Sequence, residues 1–217
     1  MIPIKDTTSG KRLPAFTFLI IVVNMAMFIE EIRMGKQIIE LYGVSPRDIL
    51  IYLMQGSGSI LLLHRSIFIS GFLHAGYIHL FGNMLFLWVF GPAVEREFGW
   101  IRFVMFYTIA IFFAFYAHTI VHPHSMLIVI GASGAIAAVM GAYLIFYPRA
   151  KIVTIVPIFF IIKVVEVPSI IFMLVWFLLQ GANGYLSLGM QTSIAWFAHI
   201  GGFMMGMLVG FYHKYSE

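Results

Sequence analysis

The sequence predicts an all-α integral membrane protein, a bundle of six transmembrane helices, and three observations lead there. Of its 217 residues, 61% are hydrophobic and 10% charged, with a mean hydropathy of +0.97. A water-soluble domain of this length does not carry such an apolar load. Several runs approach the roughly 20 apolar residues that cross a bilayer. These runs lack polar–apolar alternation and are too long for barrel strands, which leaves helices as the spanning form. The whole length, 1–217, reads as one domain, with no room for a separate soluble one.

The elements follow in order. A short N-terminal stretch from Lys5 to Arg12 precedes a first span at about 14–32. No small-residue cleavage site follows this span, because Glu30-Glu31 comes next, so it is expected to stay as an uncleaved helix. Residues 33–76 make a long first loop that is too apolar for a linker. Its runs Ile49-Leu50-Ile51-Tyr52-Leu53-Met54 and Ile60-Leu61-Leu62-Leu63 suit the membrane interface, joined by a turn at Gly56-Ser57-Gly58-Ser59. Further spans are expected at about 77–94, 101–121, 132–147, 167–185 and 193–213. Between them, 152–166 is ambiguous; Pro157, Lys163 and Glu166 favour a cytoplasmic interfacial segment. The loops 122–131 and 181–192 are the expected roof of any cavity between the spans.

Charge sets the orientation. With the N-terminus inside, Lys5, Lys11, Arg12, Arg96, Arg102, Arg149, Lys151, Lys163 and Lys214 fall in the cytoplasm. Arg33, Lys36, Arg47 and Arg65 fall outside, all in the first loop. Nine against four favours both termini in the cytoplasm. The same placement explains a pI near 9.4 without a nucleic-acid partner. With no cysteine, the chain has no disulfide or thiol chemistry.

Two polar residues inside apolar runs point to chemistry. Gly131-Ala132-Ser133-Gly134 begins the fourth span, and His199 lies in the sixth. A lipid-embedded helix keeps such groups when they are used or satisfied. At 1.5 Å per residue, Ser133 lies about 21 Å from the basic end at Pro148-Arg149-Ala150-Lys151, and His199 about 21 Å from the end at His213-Lys214. If both basic ends share one membrane face, serine and histidine are level. They are the minimum pair for serine nucleophilic catalysis: a hydroxyl and a base to take its proton. His79 and Asn83, four apart on one face of the second span, sit about 24 and 18 Å up from Glu95 and bracket that depth. Their N–H groups are the donors that a developing oxyanion needs.

Taken together, the residues resemble the rhomboid family of intramembrane serine proteases in its basic six-helix form. The likeness rests on G-x-S-G at 131–134, A-H-x-G-G at 198–202, H-x-x-x-x-H-x-x-x-N at 74–83 and small residues spaced along the last helix. Each motif alone is weak, whereas the three together, in three helices at matching depths, are specific. The resemblance implies that Ser133 is the nucleophile and His199 the base, with His79, Asn83 and the Ser133 backbone N–H as the oxyanion hole. It implies single-span membrane proteins as substrates, entering sideways near the second and fifth helices. Membrane lipids are the surroundings, and neither a cofactor nor a metal is implied. The expected location is a multi-pass one in a prokaryotic inner membrane. The chain departs from the family pattern at His64-Arg65, where Trp-Arg is usual, and at Ala137, where some members stack an aromatic ring on the histidine.

Plainer readings exist for each residue. A lone serine in a membrane helix often bonds a carbonyl one turn back, and Asn83 could join helices. His118, His122 and His124 read as surface histidines of the third external loop rather than a metal site. Gly202, Gly206 and Gly210 form a packing stripe on the sixth span, opposite Ser133, Ala137 and Gly141 on the fourth. The alternative function is a catalytically silent rhomboid-like protein that binds membrane helices. A histidine-lined transporter is disfavoured, since intramembrane acids and inverted repeats are missing.

Overall fold

The structure, a computed structural model, describes residues 1–8, 14–56, 59–158, 161–188 and 194–216. It is mostly helical, and each expected span corresponds to a helix: α1 Ala15–Met34, α5 Tyr77–Phe98, α6 Trp100–Val121, α7 Ser133–Phe146, α8 Ser169–Leu186 and α9 Trp196–Ser216. Of these, α1, α5, α6 and α8 are long and apolar enough to cross a membrane. The fourth helix differs. Helix α7 has 14 residues, about 21 Å of helix, which is shorter than the roughly 30 Å hydrocarbon core. It is also the most enclosed, with every residue from Gly134 to Tyr143 buried. Its neighbours α5, α6, α8 and α9 surround it. Ser133 is the first residue of this short central helix.

Close helix approach explains how α7 is enclosed. A Cβ at Gly202 would collide with the Gly134 carbonyl oxygen, one at Gly206 with that of Ala138, and one at Gly210 would lie 3.1 Å from Ala142 Cα. A Cβ at Gly141 would meet the Phe203 carbonyl. The stripe on α9 thus packs on Gly134, Ala138 and Ala142, one residue round from the expected Ser133, Ala137 and Gly141. That offset turns Ser133 away from the seam and towards the histidine side of α9.

The first loop is helical: α2 Lys36–Tyr42, α3 Pro46–Gln55 and α4 Ile60–Ser70. Ser45 and Asp48 cap α3 reciprocally, with Pro46 at its first position. Of the expected turn at 56–59, Ser57 and Gly58 lie outside the described residues. Arg65 lies over the Tyr42 ring at 5.5 Å, and Tyr116 of α6 donates to His64 Nε2 at 3.1 Å. The His64-Arg65 pair therefore ties α4 to α2 and α6. Gly99, at φ 73°, makes the one-residue reversal between α5 and α6.

The segment 152–166, expected to lie at the cytoplasmic interface, is made of strands in its described residues. Strands β2 Lys151–Ile158 and β3 Ile161–Pro168 form an antiparallel hairpin, and β1 Ile2–Asp6 completes a sheet of order β1-β2-β3. Runs such as Ile152-Val153-Thr154-Ile155-Val156 are dense in β-branched residues, which favour a pleated strand over a helix. The basic N-terminal stretch correspondingly begins as a strand, and its residues 9–13 lie outside the described residues. Several chain ends meet at this end of the bundle. Tyr143 donates to Asp6 at 3.1 Å, Arg96 to Thr8 at 3.0 Å and Lys214 to the Ile145 carbonyl at 2.7 Å. The Glu95 carboxylate accepts from the Phe16 and Thr17 amides, capping α1 from across the bundle.

Candidate active site

Gly131 shapes the chain's entry to Ser133. Its φ of 121° is a conformation for glycine, and a Cβ there would lie 2.8 Å from the His79 ring. The chain turns at Gly131, is held by the Gly131 amide donating to the Ser70 carbonyl at 2.9 Å, and enters α7 at Ser133. As the first helical residue, Ser133 has a backbone N–H with no acceptor inside the helix, at the positive end of the helix dipole.

His199 lies in the first turn of α9, beside that helix start. Ser133 Oγ and His199 Nε2 are 2.7 Å apart. On the other side of the ring, His199 Nδ1 is 2.8 Å from Gln180 Oε1 of α8. A carbonyl oxygen accepts, so Nδ1 carries the proton and donates, and Nε2 is left to accept from the serine hydroxyl. Trp176 and Trp196 flank the imidazole at ring-centroid distances of 6.3 and 6.0 Å.

Across a cavity of about 820 Å³, α5 presents His79 and Asn83. Ser133, His199, His79, Asn83 and Gln180 all line this space. Asn83 is buried, and its Nδ2 donates to His74 Nε2 at 2.9 Å. An amide nitrogen has two N–H groups, so one remains for another acceptor. His74 is in turn fixed from behind. Its backbone N–H donates to Glu31 at 2.7 Å, and Nδ1 donates to the Phe72 carbonyl at 3.2 Å. Burial, with His79 close by, pushes the His74 imidazole down to about 4. It stays neutral at ordinary pH, and its Nε2 remains an acceptor for Asn83. The Ala75 N–H points at His79 Nδ1, 3.4 Å away, which leaves His79 Nε2 as the N–H of that ring, against Gly131.

Residues 62–216 match the Rhomboid domain family, more than half of the chain. The chain belongs to the rhomboid family. It is 35% identical over 145 residues to RHOMBOID-like protein 4 of Arabidopsis thaliana, covering 64% of this chain and 31% of that protein. It is 33% identical over 159 residues to Rhomboid protein 1, mitochondrial, of Saccharomyces cerevisiae, covering 68% and 41%. A shorter stretch of 72 residues is 36% identical to the Putative rhomboid protease YdcA of Bacillus subtilis, covering 33% and 36%. The matched stretch spans about a third to two fifths of these relatives' length.

In this rhomboid the structure brings Ser133, His199, His79 and Asn83 to one cavity. Three further residues are hydrogen-bonded behind these four. Gln180 is a lone amide in an apolar span, and such a residue is itself a signal. His74 belonged to the recognised spacing, but its bond to Asn83 depends on how the loop folds back. Glu31 reaches His74 from α1, a contact between residues 43 apart. One expectation fails. His118 is not a surface histidine but a buried member of α6, paired with His122 at 5.1 Å, while His124 is exposed. Of the expected roof, residues up to Leu186 continue α8, and 189–193 lie outside the described residues.

Proposed function

We propose that this rhomboid is an intramembrane serine endopeptidase that cleaves peptide bonds in or near transmembrane segments of membrane proteins. The observation that carries the reading is the 2.7 Å contact of Ser133 Oγ with His199 Nε2 on a cavity wall. His199 Nε2 takes the Ser133 proton as Oγ attacks the carbonyl carbon of the scissile bond. The carbonyl oxygen becomes an oxyanion, which Asn83, His79 and the Ser133 N–H meet with hydrogen-bond donors. Collapse breaks the C–N bond, and His199 passes its proton to the leaving amine. The acyl-enzyme remains. A water, deprotonated by His199, then attacks the ester and releases the acid and Ser133.

Substrates of the proposed protease are single-span membrane proteins. The cavity is walled by α5 and α8 among others, so a segment arriving between these helices reaches Ser133 from the lipid. Such a segment must unwind locally, since an intact helix keeps its carbonyls bonded within itself. Both termini are assigned to the cytoplasm on the nine-to-four basic asymmetry. The relatives above are plant, fungal and bacterial, which gives a prokaryotic inner membrane no particular support. A multi-pass membrane location is what the helices and the family carry.

The test is cleavage of a transmembrane substrate by the purified chain. Ser133→Ala should abolish cleavage with the fold intact, because alanine suits a helix start in this apolar setting. Substantial activity in that variant would remove the proposed mechanism. A serine-directed fluorophosphonate separates the protease from a catalytically silent helix-binding relative, since it labels Ser133 in the first case alone.

A further inference from the structure

Among the span residues outside that mechanism, Gln180 is bonded directly to a reacting group. It lies on α8, 9% exposed, with Oε1 2.8 Å from His199 Nδ1. A neutral imidazole carries its proton on one nitrogen or the other. With Nδ1–H donated to an amide oxygen, the lone pair is on Nε2, facing Ser133 Oγ. The opposite tautomer would aim an N–H at the serine and leave no base beside it. Trp176, one turn before Gln180 and on the same face of α8, also packs beside the imidazole.

We infer that Gln180 is a positioning residue for His199. Its side-chain oxygen holds the imidazole in the tautomer whose Nε2 is basic and points that nitrogen at Ser133. The inference rests on the proteolytic reading of the site. When Nε2 takes the serine proton, Nδ1–H stays where it is and the bond to Gln180 persists; no proton moves to the amide. Buried carboxylates usually fill this place behind a catalytic histidine in serine hydrolases. An amide supplies the same acceptor without placing a charge inside the bilayer, where charge is expensive. The bond also links the base to α8, one wall of the cavity.

The experiment compares Gln180→Met and Gln180→Glu in the full chain, purified and given a transmembrane peptide substrate. Methionine keeps the length and has no strong acceptor; glutamate keeps an oxygen at the same reach. In Gln180→Met, kcat should fall about 10–100-fold, by analogy with loss of the partner behind a metal-ligating histidine. KM should stay within about twofold of wild type, labelling of Ser133 by a fluorophosphonate should slow in parallel, and the melting temperature should hold. Gln180→Glu should recover most of the lost kcat. Wild-type kcat in Gln180→Met overturns the inference, as does a loss confined to KM or melting temperature. A folded Gln180→Glu as slow as Gln180→Met overturns it too. Should the glutamate variant not fold, the labelling rate of folded Gln180→Met decides. A wild-type chain that neither labels nor cleaves removes the proteolytic reading, and this inference with it. A wild type that does both, beside an unaffected Gln180→Met, removes Gln180 alone.

Discussion

Asn83 shows how a structural and a chemical role for one side chain can be told apart. One of its N–H groups goes to His74 Nε2, and the second is free to meet an oxyanion. The two roles differ in size and in where they register. A donor to the transition state is worth about 10²–10³ in turnover, whereas an interhelical polar contact in a membrane averages about 0.6 kcal/mol of stability. Asn83→Ala should therefore lower kcat about 10²–10³-fold with little change in KM. His79→Ala should move kcat in the same direction by less, since Asn83 and the Ser133 N–H still act. Steady-state kinetics beside thermal melting separate the two roles. Normal turnover with a lowered melting temperature would assign Asn83 to structure and leave the oxyanion to His79 and the backbone.

Among the elements, α7 and α9 decide whether the residues can meet. Their backbones approach until a single carbon at Gly206 would run into the Ala138 carbonyl. Because the obstacle is backbone, no side-chain rotation relieves it. Even Gly206→Ala must push the helices apart, with about 1–3 kcal/mol of overpacking and a longer Ser133–His199 contact. That variant touches no catalytic group, yet it should lose both activity and melting temperature. Wild-type values for both would show that the two helices tolerate a wider spacing than the glycine stripe suggests. The seam along Gly134, Ala138 and Ala142 also explains why Ser133 itself stays out of the packing. It sits one position round the helix, where a polar group can face the cavity.

For the molecule as a whole, one end gathers the N-terminal strand, the hairpin of β2 and β3 and the last turn of α9. The other end carries α2, α3 and α4 and the turn before Ser133. Lys5, Arg96, Lys151 and Lys214 collect at the first end, so the positive-inside rule assigns that end to the cytoplasm. A chain without native cysteine is a clean background for single reporters. Cysteine placed at Gln55, the exposed last residue of α3, should react with an impermeant maleimide added outside intact cells. Cysteine at Ser216, exposed at the end of α9, should react after permeabilisation alone. Labelling of the Ser216 position from outside would reverse the orientation and put the cavity mouth on the cytoplasmic side.

The sequence by itself determined the membrane class, the six helices and the residues that gather at the cavity. Each of these is written in local terms: apolar run length, glycine at a four-residue interval, a polar group where lipid should surround it. Equal helical rise makes Ser133 and His199 level if their basic ends share one face, which agrees with their 2.7 Å contact. The sheet was also within reach, since Ile and Val crowd 152–156 and 161–165, but Pro157, Lys163 and Glu166 suggested a cytoplasmic interfacial segment. What only the tertiary structure decided is which groups stand behind the chemistry. Gln180 meets His199 across 19 positions, and Glu31 meets His74 across 43. His118 is buried by helices whose packing no run of its own neighbours encodes. Periodicity reports which face of a helix is apolar. The rotation and tilt that bring a particular amide to a particular imidazole come from how six surfaces fit together at once, and that is settled by packing.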